Sequence, residues 1–130
     1  MNLISKTISL RIPPELIYRA LKDARLEQLF PEFFIGVTRK ISIDKINEEL
    51  VFKTTTQDGQ IEIIETFRLI LSGNNTNVLY NTQTNIDGDI AVEAILRTHI
   101  ANILYSLLML ETGYVNGLMV KNDDYAKYKP

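Results

Sequence analysis

The chain has 130 residues, 14 lysines and arginines against 16 aspartates and glutamates, and no cysteine. That length suits a single domain with one real core. The scattered basic residues and slightly acidic balance give no reason to expect nucleic acid. The missing thiols exclude disulfides, zinc–thiolate sites and cysteine catalysis together.

The N-terminal MNLISKTISLRIPP has neither a signal-peptide apolar region nor a cleavage site, so a cytoplasmic protein is expected. Asn2 to Ile12 alternates, with Ile4, Ile8, Leu10 and Ile12 on one side and Ser5, Thr7, Ser9 and Arg11 on the other. This is a half-buried strand, and Lys6 interrupts its apolar side where the strand meets water. Pro13-Pro14-Glu15 ends the strand and opens a helix, since proline is tolerated in a first turn. Its buried face is Leu16, Ile17, Ala20, Leu21 and Ala24. A second short helical piece, Arg25 to Phe30, stops at Pro31. Phe30, Phe33 and Phe34 form either a core corner or the rim of an apolar opening.

Four strands follow. Ile35 to Ile43 places Ile35, Val37, Arg39, Ile41 and Ile43 on one side, and Glu48 to Thr56 places Leu50, Phe52 and Thr54 on one side. Asp58-Gly59 is a strong hairpin signal. After it, Gln60 to Leu71 carries the stripe Ile61, Ile63, Glu65, Phe67, Leu69 and Leu71. Ser72 to Asn75, with Gly73, is a second turn, and the last strand presents Val78, Tyr80, Thr82, Thr84 and Ile86. Hairpin-linked strands alternate in direction, so antiparallel pairing of the last strand with the first closes the meander.

Asp89 to Thr112 is the longest apolar stretch. At about 100° per residue, Val92, Leu96, Ile100, Ile103, Leu107 and Leu110 share one helix face, with Asp89 as cap and Gly113 as stop. Ile90, Val92, Ala94 and Leu96 also alternate, which would suit an extra strand; strand direction argues for a helix from Asp89. The apolar run Ile103 to Leu110 is far shorter than the roughly 20 residues a membrane span needs, so no integral membrane association is expected. Ala94, Ala101, Tyr105, Leu108 and Met109 form a second stripe facing away from the sheet. It packs under the short helices or against another chain, which leaves a homodimer open.

The expected architecture is α+β: a curved antiparallel sheet of about five strands wrapped around a long C-terminal helix, with two short helices after the first strand. Residues 1–120 form the domain, and 121–130 a polar tail. A helix laid across a concave sheet leaves room for an apolar ligand with a few inward polar groups.

The polar interruptions of the apolar stripes are the candidates to meet such a ligand. Arg39 and Glu65 either pair with each other or lie at an exposed edge; alternatively Arg39 receives a ligand carboxylate, which its fork of donors suits. His99, the only histidine, lies on the flank of the helix's core face, as a hydrogen-bonded core residue or as a cavity donor and general acid/base. Tyr80 offers a hydroxyl to a ligand or is amphipathic core. Arg68 falls on the solvated side of its strand. One histidine without cysteine argues against a metal, and no cofactor loop is present. No nucleophile elbow surrounds Ser106, and no recognisable carboxylate pair exists, so no catalytic residue is assigned.

The element order resembles the helix-grip fold of the START and birch-pollen-allergen-like (SRPBCC) superfamily. The matching pieces are ISLRIPPELIYRALKD running through proline into the first helix, LFPEFFIGV entering the sheet, and the hairpin ETFRLILSGNNTNVLYNTQTNIDG before the long helix. The likeness covers residues 1 to about 112 and is one of element types and lengths, with one hairpin fewer than the superfamily's usual seven strands. The short, cysteine-free, isoleucine-rich chain also looks like a small START-like family of thermoacidophilic microbes implicated in carrying fatty acids. The resemblance implies a non-enzymatic carrier of long-chain fatty acids or similar hydrophobic ligands. The ligand would lie between sheet and helix, lined by Phe52, Phe67, Tyr80, Ile100, Ile103 and Leu107. The alternatives within the superfamily are a cyclase- or dehydratase-type enzyme, in which Arg39, Glu65 and His99 converge, and a chaperone-activator-like module using the outer helix stripe. Convergence of two or more of those three residues favours the enzyme; an apolar cavity with one polar end favours the carrier.

Overall fold

The computed structural model describes residues 2–23, 36–85 and 90–117. In chain order the elements are β1 (Asn2–Leu10), α1 (Pro14–Lys22), β2 (Val37–Lys45), β3 (Glu49–Thr56), β4 (Glu62–Ser72), β5 (Asn75–Thr84) and α2 (Ile90–Val115). The architecture is α+β. The strands make one antiparallel sheet in the order β1-β5-β4-β3-β2, so the last strand lies beside the first, as the hairpin directions require.

Turn chemistry sets the register. Between β3 and β4 the Asp58 carboxylate accepts hydrogen bonds from the Thr56 hydroxyl at 2.6 Å and the Gln60 amide at 3.0 Å. The β4–β5 turn is tighter than the four residues expected: Ser72 already pairs with Asn75, leaving Gly73-Asn74 as the loop. Gly73 has φ +61, a conformation that favours glycine.

That register gives the sheet two faces. Leu50, Phe52, Phe67, Val78 and Tyr80 are buried on the inner one. Against it lie Leu96, Ile100, Ile103, Leu107 and Leu110 of α2, with Leu16, Ile17 and Leu21 of α1 in the same core. Burying each such side chain contributes about 1.5–3 kcal/mol, so this shared layer dominates the stabilisation. Tyr18, which the helix pattern does not single out, is also buried. It donates to the Asp44 carboxylate at 2.5 Å, and Lys22 reaches the same carboxylate at 2.7 Å. These contacts tie α1 to the edge strand.

Three expectations are corrected. The β2 stripe does not persist: a bulge between Ile41 and Ile43 shifts the register, so Ile41 pairs with Phe52 but Ile43 pairs with Val51. One extra residue turns every later side chain to the opposite face. Ile43 therefore leaves the face it was expected to share with Arg39 and is 44% exposed, and Ile41, on the edge strand, is 40% exposed. Secondly, β1 ends at Leu10; Ile12 is buried beyond the strand, where its carbonyl accepts the Thr76 hydroxyl at 2.8 Å. Thirdly, Gly113 does not stop the long helix, which runs on to Val115; Gly117, with φ +71, turns the chain away. The second short helix at Arg25–Phe30, the phenylalanines Phe30, Phe33 and Phe34, and the capping residue Asp89 lie outside the described residues.

Candidate functional site: a buried polar cluster between sheet and helix

Glu65 sits in the middle of β4, with Phe52 of β3 and Thr82 of β5 as its register partners. It is 0% exposed. An isolated carboxylate there would be prohibitively costly, so its partners decide whether the position is tenable. Three side chains from three other elements supply them. The Tyr80 hydroxyl donates to Glu65 Oε2 at 2.6 Å. His99 Nε2, from α2, lies 2.9 Å from the same oxygen. Arg39 Nη2, from β2, is 3.6 Å from Glu65 Oε1.

The placement follows from strand pairing. Tyr80 is directly opposite Phe67 and so diagonal to Glu65 on the same face, within reach of a long side chain. Arg39 precedes the bulge and pairs with Thr54, so it keeps the inward phase that Ile43 loses. The guanidinium lies over the Phe52 ring, 3.8 Å from its centroid. Phe52 meets Phe67 edge-on at 5.9 Å, and Phe67 meets Tyr80 at 4.9 Å. Aromatic edges and faces thus pack beside the charges, and cation–π contact adds to holding the guanidinium.

Electrostatics assigns the protons. Burial by itself raises the Glu65 carboxyl, but the His99 charge and hydrogen bond, then Arg39 and the Tyr80 hydroxyl, outweigh it and hold the group below the usual carboxylate range. Burial first, and the Glu65 carboxylate second, push the Tyr80 phenol up. Tyr80 therefore remains a donor and Glu65 an anion. Facing that anion, His99 donates from Nε2–H.

Of the residues expected at a ligand site, Arg39, Glu65, Tyr80 and His99 meet at one point, with Phe52 and Phe67 against them. Ile100, Ile103 and Leu107 belong to the same buried layer. Arg39 and Glu65 form the ion pair that was one of their two readings. His99 is buried, 4% exposed, and hydrogen-bonded to Glu65, the core reading of its two. Arg68 is solvated, as expected, and reaches Glu49 at 4.0 Å. Sequence reasoning placed Thr54 on the inner face without assigning it a role. Its hydroxyl, beside Arg39, is buried and has no hydrogen-bond partner among the described residues.

The outer stripe of α2 does not pack under α1. Tyr105, Leu108 and Met109 are exposed, and α1 contacts β3 and β4 instead. Among the described residues, no helix is long and apolar enough to cross a membrane.

No protein-family model matches the chain, and no curated protein matches it. Solved structures do share its fold. DynU16, from the dynemicin biosynthetic locus, aligns over 87% of this chain with a TM-score of 0.67 and 16% identity. The aligned part is 48% of DynU16, so the chain spans about half that protein's length. The Aha1 dimer from Colwellia psychrerythraea aligns over 87% of this chain and 98% of its own, with a TM-score of 0.66 and 18% identity. PFC0360w, an HSP90 activator from Plasmodium falciparum, aligns over 88% of this chain and 96% of its own, with a TM-score of 0.64 and 15% identity. At these identities the likeness establishes the fold, a helix-grip arrangement, and nothing finer.

Proposed function

We propose that the protein binds and carries long-chain fatty acids or similar hydrophobic ligands between its sheet and α2, without catalysing a reaction on them. The observation that supports this reading is the cluster of Arg39, Glu65, Tyr80 and His99 set, among the described residues, beside the apolar side chains of the layer between sheet and α2. A molecule with a long apolar tail and one polar head has the same division. Each buried methylene contributes about 0.8 kcal/mol, so the tail supplies the affinity while the cluster orients the head. The purified protein is expected to bind a fluorescent fatty-acid probe that unlabelled fatty acids displace at micromolar concentration, and its organic extract to contain a lipid. No displacement by any chain length tried overturns the proposal.

Thr54 provides a cleaner probe than the apolar lining, where lost binding and lost stability are confounded. A buried hydroxyl without a partner costs about 1–3 kcal/mol, so Thr54→Val should leave urea stability equal or higher. If the hydroxyl meets the ligand head, fatty-acid affinity falls in the same variant by about tenfold, one hydrogen bond's worth. Stability and affinity moving together would remove Thr54 from the site.

A second reading rests on the 2.9 Å contact between Glu65 and His99. A carboxylate that holds an imidazole by one nitrogen prepares the other for proton transfer. That is the convergence expected of a cyclase- or dehydratase-type enzyme. Recovery of a bound ligand chemically unchanged after prolonged incubation favours carriage; conversion favours the enzyme.

A further inference from the structure

We propose that the outer face of α2 is an interface for a second copy of this chain, the two helices packing antiparallel about Tyr105. The inference is independent of the carrier reading, since it concerns the side of α2 turned away from the sheet.

That face is long, exposed and almost without charge. From Ala91 to Val115 it runs for about 36 Å at 1.5 Å per residue. Tyr105 is 54% and Leu108 45% exposed. A helix that packs on a sheet ordinarily turns charged residues to water, and one that is apolar all round is covered all round. Besides His99, the ionisable acids and bases of α2 are Glu93, Arg97 and Glu111, and of these Arg97 alone is fully exposed.

The stripe also has a direction. Its first half is small, with Ala91, Ala94 and Ala101. Its second half is large, with Tyr105, Leu108 and Met109. Two copies laid parallel would set small against small and leave gaps. Laid antiparallel about Tyr105, Ala101 meets Met109 of the second copy and Ala94 meets its Val115, so volume is matched along the whole contact. A two-fold axis brings the same flank of each antiparallel helix together. Arg97 then comes within about one turn of Glu111 of the second copy, twice by symmetry. Arg97 has no ion-pair partner among the described residues. Glu111 holds Arg11 through Oε2, and its Oε1 has no partner among the described residues.

Other modes of association fit less well. Lys6 stands opposite Tyr80, on the inner side of edge strand β1, and is exposed; β2 has its bulge. An inward charge and a bulge both discourage strand-to-strand pairing. A helix that lies on a lipid surface has lysines and arginines along its polar side, and α2 has Arg97 alone.

The absence of cysteine lets a single introduced thiol report the arrangement. In an antiparallel pair centred on Tyr105, Tyr105→Cys stands against its own copy and should oxidise to a disulfide-linked dimer. Ala94→Cys stands about 33 Å from its copy, at 1.5 Å per residue, and should stay unlinked. A parallel pair would link at both positions. Sedimentation velocity of the unmodified protein between about 1 and about 500 µM should pass from monomer to dimer, as suits an interface at the small end of the specific range. Ala101→Glu, at an exposed position, sets a charge against Met109 of the second copy. It should raise the dimer Kd at least about tenfold and leave the monomer folded. Monomer at every concentration, linking at both positions or at neither, or a dimer indifferent to Ala101→Glu overturns the proposal. So does a monomer that sediments with phosphatidylcholine–phosphatidylglycerol vesicles until Ala101→Glu releases it, which would make the face a lipid-docking surface instead.

Discussion

Replacing Glu65 with alanine should lower the free energy of unfolding by about 3–5 kcal/mol, because it takes a buried carboxylate away from Arg39, His99 and Tyr80, all of which contact it. That is a large share of the 5–15 kcal/mol typical of a native domain. It would appear in urea titration as a lower midpoint at an unchanged slope. The informative contrast is a fourfold variant, Arg39→Met, Glu65→Leu, Tyr80→Phe and His99→Leu, which removes every polar member at once. Wholesale replacement of a buried ionic group by apolar residues of similar volume is commonly neutral or stabilising by about 1–4 kcal/mol. The fourfold protein should therefore be at least as stable as the parent and should no longer bind the fatty-acid probe. That combination would mean the cluster is retained for a ligand at a cost in stability. A fourfold variant as unstable as Glu65→Ala would mean instead that the network holds the fold.

The second large effect is expected in acid. Glu65 is held below the usual carboxylate range by His99, Arg39 and Tyr80 acting against burial. A group whose folded value is depressed contributes stability that is fully present above its unfolded value, about 4.3 for glutamate, and lost as pH falls through the folded value. Protonation of Glu65 would remove the negative charge that Arg39 and His99 face in the core. The urea midpoint should therefore fall steeply below pH 4.3, and less steeply in Glu65→Gln, whose amide has no proton to gain. The other carboxylates titrate in both proteins, so the difference isolates Glu65. Parallel acid limbs would show that Glu65 is not the group that matters there.

Both effects turn on contacts whose participants were visible in the sequence but whose meeting was not. Arg39, Glu65 and His99 each interrupt an apolar pattern, and an interruption is what one-dimensional periodicity can show. Glu65 and His99 are 34 positions apart on elements of different period, so no spacing rule links them. The Tyr80–Glu65 bond depends on the register of β4 against β5, which the Gly73-Asn74 turn sets. The bulge near Ser42 had no chemical signature either. The Ser42 hydroxyl donates to the Val51 carbonyl at 3.3 Å, a contact that exists only once the strands are paired. Gly113 misled for a related reason: glycine ends a helix where the chain turns away, but here the position falls on the buried side of α2 and the helix continues past it.

By itself the sequence determined the class of fold, the strand order, the inner face of β3, β4 and β5, and the packed face of α2. These follow from hydrophobic period and turn chemistry, which act between near neighbours and survive any error of one or two residues in an element's bounds. Only the tertiary structure decided that Glu65 accepts Tyr80 and His99 on one oxygen while Arg39 faces the other, that Ile43 turns outward, and that Thr54 keeps its hydroxyl unspent among the described residues. The physical reason is range. A buried charge is tolerated only by partners within a few ångströms, and those partners were brought there by the closing of the sheet against the helix.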